Sequence, residues 1–412
     1  HDTFPHHIVH FIIAHFIISS SSQAHVLPFS FFSTRSIIAQ APSGTGKTIT
    51  FTLTTLHKVQ KDKQHPQALI LTPTLELAQS IFTVVESFAK SVNITTELLI
   101  AGKEVLKNRN AQVIIGTPGK VFNLFSQKYH KCHVNPSNIF FLVLDEADKM
   151  LNVQDLYHAT LRVRNLCKNV NQFLLTSTIF SDHILEGAKK FVNEPWTMVK
   201  IVPQDGKGFV IPKLIQHFVL RVKPQAGRSI EDVKIDVVAQ IFTNLETPCS
   251  FIFANRKSTC AKIHERILSE NIRCVSLSSS LTPDERKRVF RSFIARETRV
   301  CVATNIGSRG LDIPHCTTVV NFDIPKLQAQ RGAPPALDPV TYVHRAGRTG
   351  RYGRAGLSIT LVTSSQESEA IQKIFEQCIR TDNQPIQYSV YDCDADILDI
   401  AQDINKLAKG RK

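Results

Sequence analysis

The sequence predicts an α/β fold of two domains in tandem, each a parallel sheet covered by helices on both faces. At 412 residues the chain is longer than one ordinary hydrophobic core accommodates, which favours two domains. Short apolar runs separated by helix-length segments recur in two blocks, on either side of a break near residues 200–213. Continuous apolar strands of this kind are typical of parallel sheets, because both of their faces must be covered. We therefore predict domains over 1–202 and 214–412, joined by a linker at 203–213 that contains two prolines and two glycines.

Ten segments carry the strand pattern, five in each block. In the first block they are residues 35–40, 68–73, 111–118, 140–146 and 172–177, and in the second 249–255, 273–279, 299–305, 317–323 and 357–363. Each run ends in polar or turn residues. Ligands of such sheets bind beyond the carboxyl ends of the strands, so these closing residues are the candidates for chemistry. A stretch rich in proline and alanine at 326–340 predicts a surface insertion.

Composition indicates which kind of binding partner and which cellular compartment to expect. A formal net charge of +14 and a pI near 9.4 favour a polyanionic partner, nucleic acid first. The nine cysteines include no CxxC pair, which disfavours zinc sites and a secreted disulfide framework and favours the cytosol or the nucleus. The most apolar N-terminal run, residues 8–18, is too short to cross a bilayer, so we expect no membrane insertion.

The stretch "APSGTGKT" at 41–48 predicts a phosphate-binding loop. It follows an apolar strand and precedes a segment with helical spacing of apolar residues, which is the context that such a loop requires. Gly44 and Gly46 allow backbone amides to turn towards phosphates at the positive end of the helix. We expect Lys47 between the β and γ phosphates and the Thr48 hydroxyl on Mg²⁺. The alternative, a chance turn, is disfavoured by the flanking elements.

The stretch "FFLVLDEADKML" at 140–151 places three carboxylates in four positions directly after an apolar run. Isolated charges of this kind are too costly to bury without a partner. A parallel strand that ends in Asp145 is the usual source of a second magnesium contact beside a phosphate loop, and Glu146 would then polarise the attacking water. A solvated acidic turn is the alternative, and the phosphate loop upstream makes it the weaker one.

Together these motifs resemble those of the DEAD-box RNA helicases, whose motif letters stand at 145–148. The other family motifs follow in the expected order: "PTLELAQ" at 73, "TPGK" at 117, "TSTIF" at 176, "IFANRK" at 252, "ATNIGSRGLDIP" at 303 and "YVHRAGRTGRYGRAG" at 342. The resemblance spans residue 16 to about residue 380. It implies two RecA-like domains that close on ATP and RNA together.

The resemblance also implies which residues bind the nucleotide. Phe16 and Gln23, seven positions apart, match the adenine-reading motif. His344 would connect the phosphate site to the first domain, and Ser177 with Asp148 would couple the site to work on RNA. The remaining matches are the phosphate-loop residues, the γ-phosphate arginines and two further nucleotide contacts: Ser43, Gly44, Thr45, Gly46, Lys47, Thr48, Arg348, Arg351, Arg309 and Asp312.

RNA contacts in this family go mainly to the sugar–phosphate backbone, which implies weak sequence preference. Backbone amides at glycine and hydroxyls at threonine suit phosphate oxygens, and a surface that contacts the 2′-OH distinguishes RNA from DNA. The positions of this chain that match the family's RNA contacts are Pro73, Thr74, Gly102, Thr117, Gly119, Arg256, Arg286 and Thr304.

The chain departs from the family pattern at residues outside the hydrolytic set. Leu75 replaces an arginine, Lys120 replaces another, and Ser278–Ser280 stand where relatives have His-Gly-Asp or similar. Ile179 occupies the position of a threonine whose hydroxyl couples hydrolysis to strand separation. We therefore expect ATP turnover to survive better than duplex unwinding, and an ATP-dependent RNA clamp stays open as a rival. A DNA translocase is disfavoured by Gln23 and by the residues around Asp145.

Within the family, three features favour the mRNA-export helicase of the nuclear pore over the translation-initiation helicase, which remains the alternative. They are "NAQVIIGTPG" at 110–119, Asn305 where most relatives have aspartate, and the extended segment from "NFDIP" to "LDPVTYVHR" at 321–345. The resemblance thus implies RNA as the main partner, export or nuclear-pore proteins as further partners, and a monomer in the cytoplasm or nucleus.

Overall fold

The computed structural model describes residues 21–101, 108–126, 134–201, 208–245, 247–277, 281–304, 313, 315–327, 336–351, 354–393 and 401–402. The chain divides between residues 201 and 202 into two compact units, with residues 42–44 grouped with the second. Each unit contains one seven-stranded sheet, and every strand pair within the two sheets is parallel. The predicted α/β fold class is confirmed.

The sheet of the first unit has the order β3-β4-β2-β5-β6-β1-β7. Its strands are β1 Ser36–Gln40, β2 Ala68–Leu71, β3 Thr96–Leu99, β4 Val113–Gly116, β5 Phe141–Asp145, β6 Gln172–Ser177 and β7 Trp196–Lys200. Its helices are α1 Ser21–Phe32, α2 Lys47–Lys58, α3 Leu75–Ser91, α4 Pro118–Ser126, α5 Ala147–Asn152, α6 Gln154–Leu166 and α7 Asp182–Phe191, with a 3₁₀ turn at Pro136–Asn138. Because β5, β6 and β1 are neighbours, their carboxyl ends lie side by side.

Alternate residues of each strand in the first unit face two separate hydrophobic clusters. Leu69 and Leu71 of β2 pack into one cluster, and Ala68 and Ile70 pack into the other. All four side chains are fully buried. Apolar residues on both faces of a strand require helices on both faces of the sheet, which is why the sequence pattern and the observed layers agree.

The sheet of the second unit has the order β11-β12-β10-β13-β14-β9-β16, and a separate two-stranded sheet pairs β8 with β15. The strands are β8 Phe209–Ile211, β9 Ile215–Arg221, β10 Ser250–Phe253, β11 Cys274–Leu277, β12 Val300–Ala303, β13 Thr318–Asn321, β14 Gly356–Val362, β15 Cys378–Arg380 and β16 Tyr388–Asp392. The helices are α8 Ile230–Asn244, α9 Lys257–Ser269, α10 Pro283–Ile294, α11 Pro339–Ala346 and α12 Ser365–Glu376.

All ten predicted strand segments contain strands, but the sequence missed six others: β3, β7, β8, β9, β15 and β16. The predicted linker at 203–213 includes β8, which pairs with β15. The described part of this segment is therefore partly a β-strand and not only a connecting loop. The predicted insertion at 326–340 ends inside α11, and its described flanks are closed by an antiparallel bridge between Lys326 and Leu337. The domain limits themselves remain a prediction. Among the described residues, no helix has the length and apolar character needed to cross a membrane.

Candidate nucleotide site and nucleic-acid interface

The loop between β1 and α2 has the backbone of a phosphate cradle. Gly44 and Gly46 adopt positive φ angles of 77° and 85°, a region that costs other residues free energy. Gly46 is also the N-cap of α2 and makes no side-chain capping bond, so the first amides of the helix stay available to a ligand. Lys47 begins the helix, and its Nζ donates a hydrogen bond of 2.7 Å to the carbonyl of Ala41 across the loop.

The loop is also joined to α1. The hydroxyls of Ser22 and Thr45 are hydrogen-bonded at 2.8 Å, and Ser22 is buried. Ser22 directly precedes Gln23, the predicted adenine contact, so this bond holds the N-terminal turn of α1 against the phosphate loop. Sequence reasoning missed Ser22, and no local pattern in the sequence singles it out. The other predicted adenine contact, Phe16, lies outside the described residues.

Two adjacent carboxylates face the same end of the sheet. Asp145 is the last residue of β5 and is 6% exposed, and the hydroxyl of Thr176 donates to its Oδ1 at 2.8 Å. Burial, together with the neighbouring Glu146 carboxylate, raises the pKa of Asp145 to about 6. Thr176 lies opposite Asp145 in the register of β5 and β6, so the strand pairing itself supplies this donor.

Glu146 adopts a left-handed backbone conformation, with φ 54° and ψ 49°. This region is uncommon for a residue other than glycine, asparagine or aspartate, and it turns the chain sharply from β5 into α5. The Oε2 atom of Glu146 is buried and has no hydrogen-bond partner among the described residues. A buried carboxylate oxygen without a donor is costly, so the turn holds Glu146 ready for a group that the protein alone does not supply.

The acidic turn fits a divalent cation. Two neighbouring carboxylates, one desolvated and one with an unpartnered oxygen, favour the arrival of positive charge. Oxygen ligands are those that Mg²⁺ prefers, and both Asp145 and the hydroxyl of Thr48 supply them. The buried oxygen of Glu146, which has no hydrogen-bond partner among the described residues, is thus the structural observation in favour of a metal–water cluster at this edge.

The predicted coupling pair is in direct contact. The hydroxyl of Ser177, at the end of β6, donates to Asp148 Oδ1 at 2.7 Å, and its oxygen accepts the amide of Ile179 at 3.1 Å. Ser177 and Asp148 are both buried. Ile179 itself is buried at 4% exposure, so an apolar side chain fills the position at which the sequence pattern expects a hydroxyl.

In the second unit, α11 and the turn after it carry the predicted phosphate-binding cations. Arg348 Nε donates to the carbonyl of His344 at 3.0 Å, and Arg351 Nε donates to the carbonyl of Gly347 at 2.7 Å. His344 and Arg348 are buried. Because each guanidinium is anchored to the backbone one turn before it, the direction of each arginine is set by the end of the helix.

Arg345, between these residues, was not among the predicted site residues. It is completely buried and lies over the Phe253 ring, with its guanidinium carbon 5.4 Å from the ring centroid. It donates to Asn255 Oδ1 at 3.0 Å and to the carbonyl of Asp323 at 2.7 Å. Local sequence does not indicate this role, because the acceptors of Arg345 lie 22 and 90 positions away in the chain.

The predicted RNA contacts lie mostly at carboxyl ends of strands. Thr74 follows β2 and caps α3 by accepting the amide of Leu77 at 3.3 Å, and Thr117 follows β4. In the second unit Arg256 follows β10 and is the N-cap of α9, while Thr304 follows β12. The Thr304 hydroxyl is buried without a hydrogen-bond partner among the described residues. The Thr304 hydroxyl can therefore donate and accept hydrogen bonds with a ligand.

Other predicted RNA residues divide by location. Pro73 lies beside Thr74, and Gly119 is in the first turn of α4, where a Cβ would meet nothing within 4 Å. Arg286 is the exception, because it lies within α10 and not after a strand. Gly102 and the two predicted nucleotide contacts Arg309 and Asp312 lie outside the described residues.

Comparison with known proteins decides the family. A model of DEAD/DEAH box helicases matches residues 20–185, and a model of the helicase conserved C-terminal domain matches residues 233–353. The chain is 36% identical over 345 residues to the ATP-dependent RNA helicase DBP5 of Saccharomyces cerevisiae, a match that covers 83% of this chain and 67% of that protein. The chain belongs to the DEAD-box ATP-dependent RNA helicases. It is therefore an ATPase.

Solved structures agree with this assignment. The helicase superposes on S. cerevisiae Dbp5 bound to RNA and ADP BeF3 with a TM-score of 0.83 and 31% identity, covering 99% of this chain and 97% of that one. A point variant of S. cerevisiae Dbp5 bound to Nup159, a Gle1 variant, IP6 and ADP matches with a TM-score of 0.66 and 30% identity, covering 99% of this chain and all of that one. The expected tandem RecA-like organisation is confirmed by these matches.

Proposed function

We propose that this helicase hydrolyses ATP at the carboxyl ends of β1, β5 and β6 and uses the reaction to remodel RNA. The observation that carries the proposal is the buried Oε2 of Glu146, which has no hydrogen-bond partner among the described residues and lies beside the desolvated carboxyl group of Asp145. The left-handed turn at Glu146 leads β5 into α5, and in this proposal it aims the Oε2 atom at the position of an attacking water.

The phosphate loop binds and orients the triphosphate in this proposal. The amides after Gly44 and Gly46 donate to phosphate oxygens, and Lys47 leaves the Ala41 carbonyl to bind the β and γ phosphates. Thr48 and Asp145 would hold Mg²⁺, partly through water, and the ion would supply positive charge beside the phosphates. Glu146 accepts a hydrogen bond from the attacking water and then its proton.

Arg348 and Arg351 supply the positive charge that the transferring phosphoryl group requires. Their Nε atoms are fixed to backbone carbonyls, which leaves the direction of each guanidinium fork determined by the end of α11. Such arginines contribute roughly 10³ to 10⁵ in rate in related phosphoryl-transfer systems. His344, buried on the same helix, positions Arg348 through its carbonyl.

RNA binds through its backbone in this proposal. Thr74, Thr117 and Gly119 of the first unit offer hydroxyls and open amides, and Thr304 and Arg256 of the second offer an unpartnered hydroxyl and an exposed cation. Hydroxyls, backbone amides and an exposed cation suit phosphate and sugar oxygens, so we expect weak sequence preference. Contacts to the 2′-OH would give preference for RNA over DNA.

The test is ATP hydrolysis measured with RNA, with DNA of the same sequence and without nucleic acid, on wild type and on Glu146→Gln. We expect strong stimulation by RNA and little by DNA. We expect Glu146→Gln to lower the stimulated rate by at least about 100-fold while ATP binding is retained, since general-base catalysis contributes roughly 10² to 10⁴. Glu265→Gln, which changes an exposed glutamate on α9, is the matched control and should hydrolyse ATP normally.

Each part of the proposal has an outcome that overturns it. Normal hydrolysis in Glu146→Gln would remove the role of that carboxylate. Equal stimulation by DNA would remove RNA as the preferred substrate. ATP-dependent RNA binding without separation of a short duplex would instead identify an RNA clamp, the alternative that Leu75 and Ile179 favour.

For the biological step, we propose mRNA export at the cytoplasm–nucleus boundary, with nuclear-pore and export proteins as partners. The sequence features at 110–119 and Asn305 support this branch, and so do the relatives named Dbp5, of which one structure contains Nup159 and a Gle1 variant. The direct test is titration of the helicase with purified Nup159 and Gle1. Saturable binding of both at micromolar concentration is expected, and binding of neither would overturn the export assignment.

A further inference from the structure

The buried guanidinium of Arg345 connects two regions that have different proposed ligands. Arg345 lies on α11, next to His344 and one turn before Arg348, which belong to the proposed phosphate site. Its Nη2 donates to the side chain of Asn255, in the turn between β10 and α9. That turn also carries Arg256, a proposed RNA contact. Arg345 thus spans the interior of the second unit from one functional segment to the other.

The guanidinium is held by acceptors and by a ring. Its Nη1 donates to the Asp323 carbonyl at 2.7 Å and lies 3.3 Å from Asn321 Oδ1. Its planar face lies over Phe253 at 5.4 Å, a favourable cation–π distance. Burial lowers the pKa of Arg345 to about 10, and the nearby carboxylates of Asp323 and Asp338 oppose that shift, so the group stays protonated at neutral pH.

Asn255 is fixed although it lies on the surface. Its backbone amide donates to Asp323 Oδ2 at 2.8 Å, its Nδ2 donates to the Ile324 carbonyl at 3.1 Å, and its Oδ1 accepts from Arg345. Both polar groups of the Asn255 side chain are therefore used within the protein. Asp323 is held in turn by Lys234, whose Nζ lies 3.4 Å from Asp323 Oδ1. The side chain of Asn255 therefore stabilises the turn in which it lies.

Arg256 differs from its neighbour. It is exposed, and its guanidinium makes no hydrogen bond among the described residues. As the N-cap of α9 its backbone is extended, with φ −116° and ψ 143°, so the residue projects from the turn that Asn255 fixes. The direction of Arg256 therefore depends on the internal bonds of Asn255.

We propose that Arg345 is a positioning residue for RNA: through Asn255 it fixes the turn that presents Arg256, and so it joins the RNA contact and the phosphate-binding arginines into one rigid element. The inference rests on the proposed RNA contact of Arg256. The inference adds Arg345 to the residues that serve RNA binding, and it gives a physical connection between the RNA contact and the phosphate site. A fully buried arginine suits this task, because its fork keeps several acceptors at fixed directions in a way that lysine does not.

The first measurement is the RNA concentration that half-saturates ATP hydrolysis by the full chain. For Asn255→Ala we expect this concentration to rise about 5-fold, since a hydrogen bond to a charged group is lost. The KM for ATP and the rate without RNA should stay within about 2-fold of wild type, which a general loss of structure would not allow. Gln240→Ala, at an exposed position of α8, is the matched control and should change neither value.

A double-mutant comparison tests whether the effect passes through Arg256. Arg256→Gln alone should raise the half-saturating RNA concentration about 10-fold. If Asn255 acts by placing Arg256, Asn255→Ala adds nothing in the Arg256→Gln background. Effects that multiply, or an Asn255→Ala variant with unchanged RNA dependence, would overturn the inference. If Arg345→Lys folds, its half-saturating RNA concentration should rise as much as that of Asn255→Ala. If it does not fold, the Asn255 variants test the positioning role by themselves.

Amide hydrogen exchange in the absence of RNA separates this inference from the RNA contact on which it rests. Exchange at residues 254–256 should accelerate at least about 10-fold in Asn255→Ala, because the turn loses the two side-chain hydrogen bonds to Arg345 and to the Ile324 carbonyl. Unchanged exchange would overturn the positioning role whatever the RNA data show. Accelerated exchange together with a harmless Arg256→Gln would leave the positioning of the turn intact and would reject Arg256 as an RNA contact.

Discussion

The hydroxyl of Ser177 donates to Asp148 Oδ1 at 2.7 Å, which joins the end of β6 to the first turn of α5. Both residues are buried, at 1% and 4% exposure, so the bond is shielded from water. Asp148 lies two residues after Glu146, the proposed catalytic carboxylate. The contact therefore links the segment that begins at Ser177 to the acidic turn on the neighbouring strand.

Ser177→Ala should destabilise the first unit. Removing the donor leaves a buried carboxylate oxygen with fewer partners, and we expect a loss of about 2 kcal/mol in the free energy of unfolding, measured with urea. Ser87→Ala removes a hydroxyl that bonds only to its own helix at an exposed position, and it is the matched control. Equal effects of the two substitutions would show that the Ser177–Asp148 bond contributes nothing.

Ile179→Thr should restore unwinding. Ile179 is buried next to Ser177, where the family pattern has a threonine hydroxyl. We expect more duplexes separated per ATP hydrolysed, with the RNA-stimulated ATPase rate nearly unchanged. Ile179→Val is the control, because valine has the shape of threonine without the hydroxyl. The same gain in both variants would assign the effect to size, and no gain in either would reject Ile179 as the cause of weak coupling.

Lys47→Met should abolish productive nucleotide binding. The Nζ atom of Lys47 lies at the phosphate loop, 2.7 Å from the Ala41 carbonyl, and its charge partly opposes the burial that raises the pKa of Asp145. A charged hydrogen bond to phosphate is worth up to about 3 kcal/mol, so ATP affinity should fall about 100-fold. Fluorescent ATP titration measures this, with the exposed Lys61→Met as control. Retained affinity would place the triphosphate elsewhere.

Gly116→Ala should strongly lower the free energy of unfolding and Gly119→Ala should hardly change it, although the two glycines are only three residues apart. A Cβ on Gly116 would lie 2.5 Å from the Leu99 carbonyl oxygen and 2.9 Å from Val121 Cγ2, whereas one on Gly119 would meet no atom within 4 Å. We expect the first to cost more than about 2 kcal/mol and the second to be neutral or slightly stabilising in α4. Thermal unfolding compares them, and equal melting temperatures would contradict the packing of β4 on β3.

His217 should make the second unit sensitive to acid. Burial, with Arg380 nearby, lowers the pKa of His217 to about 3, well below its ordinary value of 6.5. The unfolded chain therefore binds a proton that the folded protein excludes. Stability is complete above pH 6.5 and is lost as the pH falls towards 3, by about 2 kcal/mol between pH 7.5 and pH 5.

His217→Gln tests this dependence. The glutamine side chain cannot take up a proton in that range, but it can still accept from Tyr342, whose hydroxyl lies 2.8 Å from Nδ1 of His217. Urea unfolding at pH 5 and pH 7.5 should show a smaller difference for the variant than for wild type. The exposed His158→Gln should keep the wild-type difference. An identical difference in all three proteins would show that His217 does not titrate on unfolding.

The strands that the sequence located and those it missed differ in a physical way. Central strands such as β5 are apolar on both faces, so every residue of "FLVLD" except the last is of a type that predicts burial. The edge strand β16 exposes most of its side chains and resembles a loop in composition. In β9, a buried histidine interrupts the apolar pattern because Tyr342, 125 residues later, supplies its partner.

The sequence alone determined the two-block α/β organisation, the phosphate loop, the acidic turn and the family, because each depends on residue types at short, fixed spacings. Only the tertiary structure decided that Asp145 receives the Thr176 hydroxyl, that Glu146 keeps an oxygen without a partner among the described residues, and that Arg345 holds Asn255. The first of these contacts joins residues 31 positions apart in the chain, and the last joins residues 90 positions apart. The order of strands in a sheet sets which distant side chains meet, and local sequence pattern does not contain that order.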